Sequence, residues 1–268
     1  AWWRTARTAR PRATAACEAR SGAASLVPAR PLPWWRRLAA WLGRGASPAT
    51  QPHPTSSAVA VAAPAAASRL SAGRQRGARM RALAPGPFSA FVAGGGCALA
   101  AVSPERFLSL DADGVAETRP IKGTRRRDAD PAVDARLAAE LAASAKDRAE
   151  NLMILDLMRN DLSRVCAFGS VAAPQRMALE TFPAVHHLVS AVSGRLRPGL
   201  DAVDLLRACF PPGSVTGAPK VRAMEIIAEL ETAPRGPYCG AYGWLGDDGA
   251  MDLAVAIRIA ACRHGRVA

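Results

Sequence analysis

Arg119-Pro120-Ile121-Lys122-Gly123-Thr124 sets a lysine between a residue of fixed φ and one of free φ. Proline locks its own φ and glycine reaches backbone regions closed to other residues, so the segment pins the Lys122 side chain at the end of a strand or turn. Taken alone, a lysine beside a glycine is usually a solvated surface group. Three blocks downstream change that reading: Ala149-Glu150-Asn151-Leu152-Met153-Ile154-Leu155-Asp156-Leu157-Met158-Arg159-Asn160-Asp161-Leu162, Val185-His186-His187-Leu188-Val189-Ser190 and Gly213-Ser214-Val215-Thr216-Gly217-Ala218-Pro219-Lys220. Ser103-Pro104-Glu105-Arg106-Phe107 lies upstream, and Tyr238-Cys239-Gly240 and Ala256-Ile257-Arg258 close the series.

Between these blocks short strands alternate with longer helices. Apolar runs at 88–93 and 97–102 flank Gly94-Gly95-Gly96, and Asp111-Ala112-Asp113-Gly114 divides two further runs, so both read as hairpins. From Pro131 the apolar residues Val133, Leu137, Leu141 and Ala145 recur at helical spacing, Asp130 offers a cap, and the period continues through Leu157-Met158 as one long helix. Asp147 and Glu150 then share one face near the helix middle. Two such carboxylates suit Mg²⁺, or they form a solvated acidic face with Lys146 and Arg148 as ion-pair mates.

His186 and His187 are adjacent on a strand and must point to opposite faces, so only one of them reaches a site. The small-residue loop from Phe210 opens a helix with Pro219 in its first turn. Free N–H groups at a helix start favour a carboxylate, which makes Ser214, Thr216 and Gly217 candidate substrate contacts. Val221, Met224, Ile227 and Leu230 are expected on the buried side of that helix. A last hairpin turns at Gly246-Asp247-Asp248-Gly249, and Arg258 is expected on one face of a buried strand.

The chain has 268 residues, half of them apolar, enough for a substantial core. Its net charge of +13 is confined to one end, because residues 1–81 hold 14 arginines against the single acid Glu18 while the rest balances 21 basic against 21 acidic residues. Residues 1–83 are rich in Ala, Arg and Pro without a sustained period and are expected to be a disordered leader. That composition fits an organelle transit peptide, a nucleic-acid tail or a spurious extension of a GC-rich reading frame. The neutral remainder argues against nucleic acid as the main partner. Cys17, Cys97, Cys166, Cys209, Cys239 and Cys262 show no zinc or redox spacing, as expected for free thiols in a reducing cytoplasm. No apolar run is long enough to span a bilayer.

These motifs, in their order along the chain, resemble the chorismate-binding catalytic domain shared by anthranilate synthase component I and aminodeoxychorismate synthase component I, over roughly Pro85 to the end. The resemblance implies an α+β fold of two packed antiparallel sheets flanked by helices, here a partial domain over 84–268. Family members run on past the position of Ala268 through a glycine-rich turn and further acids, so the domain is expected to be incomplete at both ends. The family's ammonia comes from a glutamine amidotransferase, component II, whose cysteine motif is not seen here.

The same resemblance implies roles for individual residues. Lysine at the position of Lys122 marks the aminodeoxychorismate-forming branch, where anthranilate synthases usually carry alanine. An uncharged Lys122 amine would attack C2 of chorismate while the 4-hydroxyl leaves, and ammonia would then add at C4 and expel the lysine. Glu105 is implied in proton transfer or lysine orientation, and His187 in hydrogen bonding to the departing hydroxyl. Gly123 and Thr124 are expected beside the substrate. Glu150 corresponds to the Mg²⁺ ligand that holds the ring carboxylate, with Asp147 as a water-mediated partner. Tyr238 and Arg258 correspond to residues that bind the enolpyruvyl carboxylate. The pattern departs at Pro212, where the family usually has glycine, and at Ala254 and Ile259, where it has Asn and Thr. The alternatives are an anthranilate- or isochorismate-forming enzyme, or an inactive fragment of such an enzyme.

Overall fold

The computed structural model describes residues 67–83, 85–94, 97–263 and 266–267. Cys17 and residues 1–66 of the expected leader lie outside them. The last part of that leader is not disordered: Ala67–Leu83 forms a helix, α1. Ala, Leu, Arg and Met dominate this stretch, and their helix propensity outweighs the missing apolar period.

Two antiparallel sheets follow. The smaller has the order β1-β2-β10-β11, built from Phe88–Gly94, Cys97–Ser103, Ile259–Arg263 and Arg266–Val267. The larger has seven strands: β3 (Arg106–Leu110), β4 (Val115–Arg119), β5 (Ile121–Arg126), β6 (Ala172–Thr181), β7 (Val185–Arg195), β8 (Ala241–Leu245) and β9 (Met251–Val255). The expected hairpins are present as β1–β2, β3–β4 and β8–β9. The long strand β7 carries β6 along one edge. Along its other edge β4 and β5 lie end to end, Thr118 opposite Val192 and Ile121 opposite Val189. Between them Ser190 N donates to Pro120 O at 3.1 Å. Proline is tolerated there because a strand join needs no N–H from it.

The long helix expected from Pro131 is two helices, α2 (Pro131–Ala143) and α3 (Ala145–Ser163). Asp130 caps α2 as expected, accepting from Ala132 N at 2.8 Å. Ser144 then breaks the run: its backbone is extended, and its hydroxyl accepts from Asp147 N at 3.3 Å. A serine that can cap a new helix overrides the apolar period across it. Asn151, Ile154, Leu155, Met158 and Leu162 of α3 are buried at helical spacing. The four apolar ones meet Phe107, Leu108, Leu110, Val192 and Leu253 of the larger sheet in the core. Full burial of each large apolar side chain stabilises by about 1.5–3 kcal/mol.

Helix α4 (Ala202–Cys209) starts in a capping box of Asp201 and Asp204. Helix α5 (Lys220–Leu230) departs from expectation, since none of its residues is buried. Val221 and Leu230 are 71% and 72% exposed. Only part of the expected apolar stripe, Met224 and Ile227, is half-buried. Among the described residues no helix is long and apolar enough to cross a membrane, and Cys97, Cys166, Cys209, Cys239 and Cys262 are free thiols.

Candidate active site

Two bulges shape the centre of the larger sheet. In β5, Lys122 and Gly123 together face the single residue Leu188 of β7, because Ile121 pairs with Val189 and Thr124 already pairs with His187. A bulge bends its strand and re-aims the extra side chain. Gly123 makes it possible, with φ of +93°. A Cβ there would sit 2.9 Å from both Asp147 Cβ and Leu141 Cδ1, so the absent side chain also lets β5 lie against the α2–α3 junction. A second irregularity in β3 lets the successive residues Phe107 and Leu108 both be buried, just after Glu105.

These distortions bring Glu105, Lys122 and Ser214 together. Lys122 Nζ donates to Ser214 O at 2.9 Å. Glu105 is only 5% exposed. Burial pushes its carboxyl up to about 7, against the opposing pull of the Ser214 hydroxyl, the Lys122 charge and the Ile121 backbone. A carboxyl poised there is divided between its acid and base forms at neutral pH and suits proton transfer in either direction. Ser214 lies in a 3₁₀ turn, Gly213–Val215, clamped onto α3. A Cβ on Gly213 would fall 2.3 Å from Met158 Cε. Thr216 closes the turn, its hydroxyl donating to Pro212 O at 3.1 Å, and Gly217 leaves it at a φ of +126°.

The two histidines diverge as expected. His187 faces Thr124, with Thr124 Oγ1 and His187 Nδ1 2.8 Å apart, and packs against the Phe182 ring. Burial first, and the positive charge of Arg258 second, hold its imidazole below the usual histidine range. His186 is buried on the other side, its Nε2 3.0 Å from Asp134 Oδ1 and its Nδ1 2.9 Å from Thr181 Oγ1. Those partners make it structural.

Arg258 is not on a strand. It stands at the crossing from β9 in the larger sheet to β10 in the smaller, with φ of +52° and an exposed side chain. A left-handed residue turns the chain there from one sheet to the other. Tyr238 is 52% exposed, and its backbone N–H donates to Arg235 O at 3.2 Å.

The carboxylates expected to hold a metal differ from each other. Asp147 belongs to the first turn of α3, not its middle, and its Oδ2 lies 3.3 Å from Arg125 Nη2. Its charge is already matched, which fits it poorly as a direct ligand. Glu150 is 45% exposed on its side chain, and its Oε1 lies 3.9 Å from Lys146 Nζ. That half-exposed carboxylate, with a long and exposed lysine contact, fits a hydrated divalent cation, which needs one or two protein oxygens and takes the rest from water and substrate. Among the described residues no group of three or more His, Cys, Asp or Glu is assembled for a metal.

Two supports escaped the sequence reading. Lys220 Nζ pairs with Asp161 Oδ2 and donates to Cys209 O at 2.7 Å, tying the end of the Ser214 loop to α3. Asn151 donates to Leu188 O at 3.0 Å and accepts from Ser190 Oγ at 2.5 Å, joining α3 to the strand that carries His187. Both residues fall inside quoted motifs, but their partners lie far off in sequence.

A family profile described as chorismate binding enzyme matches residues 75–268. Aminodeoxychorismate synthase component 1 of Salmonella typhimurium is 54% identical over 181 residues, which are 68% of this chain and 40% of that protein. Anthranilate synthase component 1 of Streptomyces coelicolor is 49% identical over 70% of this chain and 37% of its own. Among solved structures, anthranilate synthase component I from Streptococcus pneumoniae superposes with a TM-score of 0.65 at 40% identity, covering 71% of this chain and 42% of that one.

Proposed function

Because the chain belongs to the chorismate binding enzyme family, we propose that it carries the catalytic groups of an aminodeoxychorismate synthase component I. The reaction would replace the 4-hydroxyl of chorismate by ammonia, a step toward p-aminobenzoate and folate. The match spans 40% of the length of the Salmonella relative, and the whole enzyme's activity is part of this proposal. The observation that carries the reading is the placement of a buried carboxyl, Glu105, beside the amine of Lys122 over the Ser214 turn.

The chemistry follows from that cluster. As the Lys122 nitrogen bonds to C2, the ring double bond shifts and the C4–O bond breaks. Glu105 takes up the proton the amine loses and passes it to the departing oxygen, which His187 holds by a hydrogen bond, so that it leaves as water. Ammonia then bonds to C4, the double bond returns and the C2–N bond to Lys122 breaks, while the surplus proton of the added nitrogen passes through Glu105 to the lysine nitrogen. Atoms balance as chorismate plus ammonia giving aminodeoxychorismate plus water. Gly123, Thr124, Ser214, Thr216 and Gly217 would line the substrate, and Tyr238 with Arg258 would hold the side-chain carboxylate.

Mg²⁺ belongs to this proposal. Glu150 would hold it, and the ion would supply charge neutralisation for the ring carboxylate. Ammonia would come from a glutamine amidotransferase, component II, and the compartment would be the cytoplasm. The resemblance to anthranilate synthases supports a second reading, anthranilate formation. Lys122 disfavours it. Incubation with chorismate, Mg²⁺ and ammonium, with products identified by mass and ultraviolet spectrum, separates the two. Aminodeoxychorismate is expected, and anthranilate as sole product would overturn the proposal.

A further inference from the structure

On the side of the fold where α3 ends and α4 packs, a cavity of about 260 Å³ is walled by arginines. Its lining includes Arg164, Arg197 and Arg207 together with Asp204, Val165 and Ala208. It shares no lining residue with the Glu105, Lys122 and His187 group. The volume falls below the roughly 300–1,000 Å³ of a drug-sized ligand pocket, so it suits a small occupant.

Two of the arginines are held in place by main-chain oxygens. Arg164 Nη1 donates to Ala208 O at 3.1 Å, and Arg197 Nη2 donates to Arg164 O at 2.6 Å. Carbonyl acceptors fix a guanidinium without neutralising it. None of the three guanidinia has a carboxylate within 4.0 Å among the described residues, in contrast to Arg106, Arg119, Arg125 and Arg127, which each hold an acid. The Asp204 carboxylate serves α4, accepting from Asp201 N at 3.2 Å. Three arginines against one carboxylate therefore leave this open depression with a net charge of +2. Forked donors with unspent N–H groups match the oxygens of phosphate or of clustered carboxylates.

We infer that the cavity bounded by Arg164, Arg197 and Arg207 is a binding site for a small oxyanion of two or more negative charges, independent of the chorismate reaction.

Isothermal titration of the purified 268-residue chain with phosphate, pyrophosphate and citrate at fixed ionic strength tests this, since none of these is a reactant in the amination. Saturable binding is expected, weakened about tenfold in Arg197→Gln and again in Arg207→Gln, the scale of one charge-assisted contact each. The tighter probe identifies the natural ligand as phosphoryl or carboxylate in character. Both side chains are exposed, so the melting temperature in chloride should not change. Arg207→Lys, which keeps the charge and loses the fork, should weaken binding only severalfold. No saturable binding by the parent, or equal binding by the double variant, would overturn the inference.

Discussion

Glu105 and Lys122 meet over one residue: the Ser214 carbonyl accepts from the lysine at 2.9 Å while its hydroxyl bonds the glutamate. The acid comes from the link just before β3 and the amine from β5, and a turn from a distant loop holds both. Each member can therefore be removed with separable consequences.

Lys122→Ala should abolish amination while sparing the fold. Loss of the Ser214 contact costs about 1 kcal/mol, whereas loss of the nucleophile should lower the rate at least about a hundredfold. Rates with ammonium as donor, alongside urea unfolding, check both halves. Aminodeoxychorismate formed at the parental rate would remove the covalent step.

Glu105 predicts a pH-dependent stability. Its carboxyl is raised from 4.5 to about 7 in the fold, so the folded chain binds the proton more tightly than the unfolded one. The contribution is complete below about pH 4.5 and is lost as pH rises through 7, on the order of 3 kcal/mol in all. Glu105→Gln, neutral throughout, should lack this loss. Urea midpoints at pH 5 and pH 8 should converge for the variant relative to the parent, and an identical pH response in both would refute the assignment.

Gly123→Ala should cost far more than Gly114→Ala. Both residues have positive φ, but a Cβ at 114 meets nothing within 4 Å while one at 123 strikes Asp147 and Leu141 at 2.9 Å. The backbone term alone is about 1 kcal/mol, and overpacking adds about 1–3 more. Thermal unfolding of the two variants measures the difference. Equal losses would mean that β5 is free to move away from the helices.

Asp161→Asn should destabilise the chain by about 3–5 kcal/mol, because it leaves Lys220 unpaired where the side chains are only 5% and 12% exposed. Replacing both partners, as Asp161→Leu with Lys220→Met, should recover most of that loss. A double variant no better than the single one would show that the pair sets the loop's conformation as well as its energy.

Hairpin turns, the strand at Val185 and the opposed histidines were legible because glycine-aspartate turns and strand alternation are local. Ser144 was not, since a capping serine within an apolar period is visible only once the backbone is known to break. The buried face assigned to α5 failed for another reason: periodicity shows which residues are apolar, not which surface receives them. The placement of Arg258 depended on a change of sheet between β9 and β10, and the Asp161–Lys220 and Asn151–Ser190 pairings bridge 59 and 39 positions. Neither leaves a mark in a short window.

Lys122 has no ladder partner of its own, because it is the surplus residue where β5 runs past Leu188. Its identity is thereby uncoupled from strand pairing: exchanging it leaves the ladder contacts on either side intact. One scaffold can thus trade a reactive group for an inert one at that spot without refolding, so related enzymes could diverge in product through a single codon.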